Sequence, residues 1–248
     1  MEFERWDPQW DEAVRRALVE YFDGRDCWAT DHTVQITSFG GSGTTALCDH
    51  LQQLGLDVPK APGMFPVKHR RYPNEAAEVP AGFRVVYPYG DPRNAVVSLF
   101  RRNLQAGHYR WLRYPQPRLE RGRHVPALDE LVDPDGPFQP RGEVRDRLAD
   151  LGSFLAGGVD EFRLEDHVDR WLSGAHGYPV LFVRYEALEQ VWPEVREFLG
   201  LAAEVPCLRV RERSSDWRSL PRETADRLDA LYGPLAEKLA ALPAALEV

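Results

Sequence analysis

An α/β fold with a central parallel sheet flanked by helices is predicted for this 248-residue chain by three observations. Strand-like runs alternate with helical patterns along its length. One of those strands is apolar throughout, as in a sheet covered on both faces. A strand also leads through a glycine-rich turn straight into a helix, the βα unit from which parallel sheets are built.

The elements follow in order. Thr33-Val34-Gln35-Ile36-Thr37-Ser38 is β-prone and empties into Gly40-Gly41-Ser42-Gly43-Thr44-Thr45. Ala46, Leu47, Leu51 and Leu54 then give a helix its apolar stripe. Phe83-Arg84-Val85-Val86-Tyr87-Pro88-Tyr89 reads as a second strand, broken at Gly90-Asp91-Pro92. Pro92 suits the first turn of a helix that buries Ala95, Val96, Leu99 and Phe100. Residues 106–145 are rich in Arg, Pro and aromatics with weak periodicity, which reads as a lid or acceptor-binding excursion. Order returns at Leu148-Ala149-Asp150-Leu151 and runs through Val168-Asp169-Arg170-Trp171-Leu172. Pro179-Val180-Leu181-Phe182-Val183-Arg184-Tyr185 is the third strand. A helix through Val195–Leu199 ends at Gly200, and a last one runs from about Arg222 to Leu242. No linker or repeat divides the chain, so residues 1–248 read as a single domain.

Composition narrows the function. No apolar stretch approaches the roughly 20 residues of a membrane span, and the N-terminus lacks the basic and apolar regions of a secretory signal. A net charge of −8 argues against general nucleic-acid binding. Cys27, Cys48 and Cys207 are scattered and odd in number, which fits a reducing cytoplasm better than a disulfide framework. No His, Cys and Asp residues fall at metal-ligand spacing, so no metal is expected.

The glycine turn is the richest motif. Strand, glycine loop and helix together offer an anion bare backbone amides and the positive end of a helix dipole. Walker A would need a lysine where Thr44 follows Gly43, and the dinucleotide fingerprint spaces its glycines more widely.

Ser42-Gly43-Thr44-Thr45 after a strand resembles instead the loop of the sulfotransferase family, which cups the 5′ phosphosulfate of 3′-phosphoadenosine-5′-phosphosulfate (PAPS). Four further segments are similar to that family in the same order. Asp91-Pro92-Arg93-Asn94 with Ser98 looks like its 3′-phosphate segment. Phe154–Val159 with His167–Trp171 is similar to a stretch before the third strand. Leu181-Phe182-Val183-Arg184-Tyr185-Glu186-Ala187-Leu188 is close to "LFxxYEDL". Arg211-Glu212-Arg213-Ser214-Ser215-Asp216-Trp217 looks like a degraded "RKGxxGDW".

The resemblance implies a three-layer P-loop-type fold and transfer of a sulfuryl group from PAPS to a hydroxyl of a small molecule or sugar, leaving PAP. It implies a donor site of Gly40, Gly41, Ser42, Gly43, Thr44 and Thr45, with Tyr185 and Ser98 on the nucleotide and Arg211 and Arg213 closing over it. The family usually places a cation at the position of Gly41, an arginine at that of Gly90 and an aromatic at that of Ala46. Two missing charge-assisted contacts, at about 1.5–3 kcal/mol each, would cost several orders of magnitude in affinity unless replaced.

Lys68-His69-Arg70-Arg71 stands where the family carries its Lys-x-His segment, and offers the replacement. Lys68 is expected to stabilise the departing charge, and His69 to take the acceptor's proton while titrating near the ordinary imidazole value. His108 and His124 are further candidates for the base, and Arg93, Arg101 and Arg102 for replacing the lost 3′-phosphate arginine. Two other readings stay open: a catalytically silent nucleotide-binding or interaction protein, and an NTP-dependent phosphotransferase.

Overall fold

The computed structural model describes residues 32–58, 67–69, 73–74, 76–113, 142–210 and 215–248. Those residues form a mixed α/β structure around a four-stranded sheet, in the order β1 (Val34–Ile36), β2 (Arg84–Tyr89), β3 (Val180–Arg184), β4 (Ala245–Glu247). The first three strands are parallel, with Ile36 opposite Val86 and Val86 opposite Leu181. The edge strand β4 runs antiparallel to β3 and was not foreseen. It is three residues long, too short to show a period.

Alternation along the strands divides the apolar side chains between two clusters. Val85, Tyr87, Tyr89, Val180 and Phe182 enter one. It is completed by α2 (Pro92–Arg101), α3 (Gln105–Arg113), α5 (Leu151–Ala156), α6 (Leu164–Leu172) and α8 (Arg222–Ala240). Ile36, Val86, Leu181 and Val183 enter the other, against α1 (Thr44–Gln53) and α7 (Trp192–Leu199). A short helix, α4 (Gly142–Arg147), precedes α5. Helices on both faces explain why β3 is apolar from Val180 to Val183.

Local rules account for the boundaries. Asp91 caps α2 by accepting from the Arg93 amide, with Pro92 at the first helical position. Gly200 ends α7 at φ 68°, in the left-handed region. Within the stretch 106–145, α3 covers the start and α4 the close. Tyr109 and Leu112 on α3 are buried in the first cluster, and two apolar contacts in an Arg-rich run were too few for periodicity to register. Residues 114–141, including His124, lie outside the described residues. No described helix is long and apolar enough to cross a membrane.

Candidate functional site

The loop from Ser38 to Thr44 carries three glycines in the left-handed region, Gly40 at φ 95°, Gly41 at 69° and Gly43 at 75°. Each is required by a different neighbour. A Cβ on Gly40 would lie 2.5 Å from His108 Nε2, and one on Gly41 would lie 2.7 Å from both Cα and Cβ of Ala95 in α2. A Cβ on Gly43 would fall 2.0 Å from the Tyr185 ring. The glycine at 43 is therefore demanded by Tyr185 packing over the loop, a nearer cause than the approach of a phosphate.

Hydroxyls tie the loop down. Ser42 Oγ donates to the Pro88 carbonyl at the end of β2 (2.8 Å), and the Gly40 amide donates to Ser38 Oγ (3.0 Å). Ser38 Oγ and Thr44 Oγ1 are 2.5 Å apart and buried. The two threonines thus divide: Thr44 is turned inward, whereas Thr45 is exposed. Gly43 caps α1 with no side-chain oxygen, so no capping side chain competes for the amides of its first turn.

A cation from elsewhere in the chain reaches the loop. Ser38 donates its amide to the Lys68 carbonyl (3.0 Å), which docks the short turn Val67–His69 beside the loop. Lys68 Nζ then reaches Thr45 Oγ1 at 3.2 Å, at the first turn of α1. Gly41 cannot carry that cation itself, because its Cβ would meet helix backbone. Gly41→Lys is accordingly expected to lower thermal stability and to bring no gain in PAP affinity; a tenfold gain would show that Ala95 yields.

His69 is buried, and its Nδ1 lies 3.0 Å from the Ser38 carbonyl. A carbonyl only accepts, so Nδ1 carries the proton and Nε2 is the basic nitrogen. Burial foremost, with the charges of Lys68 and Arg102, pushes its pKa down from 6.5 to about 3, although the Ser38 bond opposes this. The sequence-based expectation of an ordinary imidazole value is corrected: the ring is neutral across the physiological range. His108 on α3 lies beside it, ring centroids 4.7 Å apart, and is held well below its usual value by burial, His69 and Arg102.

Both folded values lie below 6.5, so the unfolded chain binds more protons as pH falls beneath that value. The stability these rings contribute is whole above about pH 6.5 and is lost progressively as pH falls below it. Urea midpoints at pH 7 and pH 5 measure it; equal midpoints would mean that the rings are not buried neutral.

The proposed nucleotide-side residues are placed unequally. Arg93 donates to both Asp91 oxygens (2.9 and 3.2 Å from Nε), pairs with Asp229 and stacks 4.2 Å from the Trp217 ring. Desolvation opposes its charge, yet the two carboxylates outweigh it and its pKa is raised. Trp217 adds bonds from its amide to Asn94 and from its indole to Asp91. Arg93 is thus built into a clamp joining α2, α8 and the turn at 217, rather than being presented to an anion. Asp229, far along the chain, carried no sequence signal.

Ser98 is half-buried on α2, and its carbonyl accepts from Arg102 Nε at 3.1 Å. Arg101 donates to Ser215 Oγ at 3.1 Å, bringing the approach to the last motif onto α2. Arg211 and Arg213 lie outside the described residues, as do Arg70 and Arg71. The remaining described histidines have structural surroundings. His167 meets the Tyr87 hydroxyl at 2.8 Å, His176 the Trp171 carbonyl at 2.9 Å and His50 the Pro206 carbonyl at 2.9 Å, while His32 lies tilted against Phe83. Cys48 is buried, and burial with nearby Glu189 pushes the Cys207 thiol up to about 11, far from thiolate chemistry.

No protein-family model, curated protein or solved structure matches the chain significantly.

Proposed function

We propose that the chain is a divergent PAPS-dependent sulfotransferase with a three-layer P-loop-type fold, transferring a sulfuryl group to a hydroxyl of a small molecule or sugar. The observation that carries this reading is the convergence of Lys68 and His69 on the glycine loop. Lys68 Nζ stands at Thr45, and the His69 ring is anchored through Nδ1 to Ser38. A phosphosulfate held at the start of α1 would meet backbone amides, the Thr45 hydroxyl and one lysine charge. Those features fit the 5′ end of the donor. Two clusters on alternate strand residues fit the three-layer arrangement.

The donor supplies an activated sulfuryl group; the protein binds, orients and handles the proton. The acceptor oxygen bonds to sulfur as the sulfur–oxygen bond to phosphate breaks, and the acceptor's proton passes to His69 Nε2. Lys68 offsets the negative charge that grows on the departing phosphate. A ring titrating near 3 is a weak base in the free protein. A bound anion opposes the lowering by Lys68 and Arg102, so donor binding itself makes His69 a better base.

Thermal denaturation with PAP, PAPS and ATP·Mg²⁺ tests the reading. PAP at about one hundred times its Kd adds about 2.7 kcal/mol, a rise of about 5–10 °C for a chain of this size. A rise with ATP·Mg²⁺ and none with PAP would replace the sulfotransferase reading by the phosphotransferase one. Lys68→Ala is expected to weaken PAP by about 10–100-fold and to lower turnover as well, since its charge acts in both ground and transition states. Unchanged affinity, measured by calorimetry, would remove Lys68 from the site.

A further inference from the structure

We propose that Arg102 binds an anionic group of the acceptor, so that the hydroxyl compound sulfated here carries a carboxylate near its reacting oxygen. The inference rests on the sulfotransferase reading and names its acceptor class. Arg102 follows the last residue of α2, and its amide still donates to the Ser98 carbonyl at 3.2 Å, which keeps it in helical register. Ala95, Ser98 and Arg102, spaced by three and four, therefore share one face of the helix. Ala95 is the residue packed against Gly41. The row thus starts at the glycine loop and ends at Arg102, about 10 Å farther along the axis. The chain then turns at Asn103, φ 54°, into α3. That turn brings His108 back onto Gly40, with its ring 4.7 Å from that of His69.

The protein leaves this charge unneutralised. Among the described residues no carboxylate pairs with Arg102, whereas Arg93 meets Asp91 and Asp229, and Arg147 meets Glu143 and Glu161. Its Nε donates to the Ser98 carbonyl at 3.1 Å, which fixes the plane of the guanidinium and leaves the two Nη groups for a ligand. Such a fork matches both oxygens of a carboxylate. The side chain reaches solvent, yet partial burial lowers its pKa, and no anion among the described residues raises it. Its charge also bears on the imidazoles. At His69 Lys68 weighs more than Arg102, and at His108 Arg102 weighs more than Lys68. The two cations so flank the imidazole pair from different sides. Lys68, on Thr45, serves the donor, and the acceptor has to approach His69 along the other flank. The 3′ phosphate lies at the far end of the nucleotide from the reacting sulfur, so a cation felt by both imidazoles belongs to the reacting end. An acceptor carboxylate on Arg102 cancels its depression of His69 and makes that ring a better base once the acceptor is in place.

Calorimetry with PAP bound tests this, comparing glucuronate with glucose and para-hydroxybenzoate with para-hydroxybenzamide. The acid of at least one pair is expected to bind about tenfold or more tightly than its neutral partner. Arg102→Gln is expected to erase that preference and Arg102→Lys to keep part of it, with PAP affinity in both within about twofold of native. Equal affinity within both pairs, failure of all four to bind included, overturns the inference, as does a preference that survives Arg102→Gln. A loss of PAP affinity of about tenfold in Arg102→Gln overturns it too, by moving the arginine onto the nucleotide. Native protein that binds no PAP overturns the sulfotransferase reading instead, and the same acid and neutral pairs, titrated without nucleotide, then decide whether Arg102 holds an anion.

Discussion

On the proposed sulfotransferase reading, His69→Ala is expected to lower kcat by about 10²–10⁴ while leaving PAP affinity nearly intact. The side chain reaches Ser38 through Nδ1, so its removal costs the loop one hydrogen bond and, on that reading, the proposed proton acceptor. On the same reading affinity is expected to reside elsewhere, in the amides of the glycine loop and in Lys68, which reaches Thr45. The pH profile carries the sharper expectation. With the free ring titrating at about 3, kcat/KM should stay level from pH 8 down through 6, where an ordinary imidazole would already be losing activity. A fall centred near 6.5 would mean that the base is a solvent-exposed group. Retention of most turnover in His69→Ala would move the base to another residue, with His108 the nearest imidazole.

Gly43→Val is expected to be the most destabilising single change in the loop. Its Cβ would overlap the Tyr185 ring at 2.0 Å, and φ of 75° is hostile to a β-branched residue. Overpacking and backbone strain together cost about 3 kcal/mol or more, a fall in Tm of about 6–12 °C. Gly55→Ala is the control, because Gly55 has φ 87° with open space around it and so reports strain alone. Gly43→Val with no greater loss than Gly55→Ala would show that Tyr185 swings away freely. The same variant should bind PAP poorly, and Tyr185→Ala in the Gly43→Val background separates the two causes: regained stability without regained binding would leave the phosphate cradle as the reason for glycine.

Much of this arrangement was legible in the amino-acid order. Pro92 after Asp91 announced the start of α2, and Gly200 the end of α7, because capping depends on residues next to one another. The glycine turn between β1 and α1 was legible for the same reason. The short antiparallel β4 was not, since a three-residue strand has no period and is defined by the Val180–Val248 hydrogen bonds it makes. Arg93 shows the limit most clearly. The sequence offered it, with Arg101 and Arg102, as a substitute for the arginine missing at Gly90, whereas Asp229 and Trp217, more than a hundred residues away, engage its guanidinium.

By itself the sequence determined an α/β chain with a mostly parallel sheet, a glycine loop opening α1, and a cation-flanked histidine at 68–69. These are local properties: strand propensity, helical periodicity, and the tolerance of glycine for positive φ. Only the tertiary structure decided that Lys68 reaches Thr45, that His69 and His108 are buried neutral against Gly40, and that Gly41 faces the backbone of Ala95. Each of those depends on a distance between segments far apart in the chain, and on the water excluded when they pack. Burial moves a titration and proximity supplies a charge, and neither quantity exists until the segments have met.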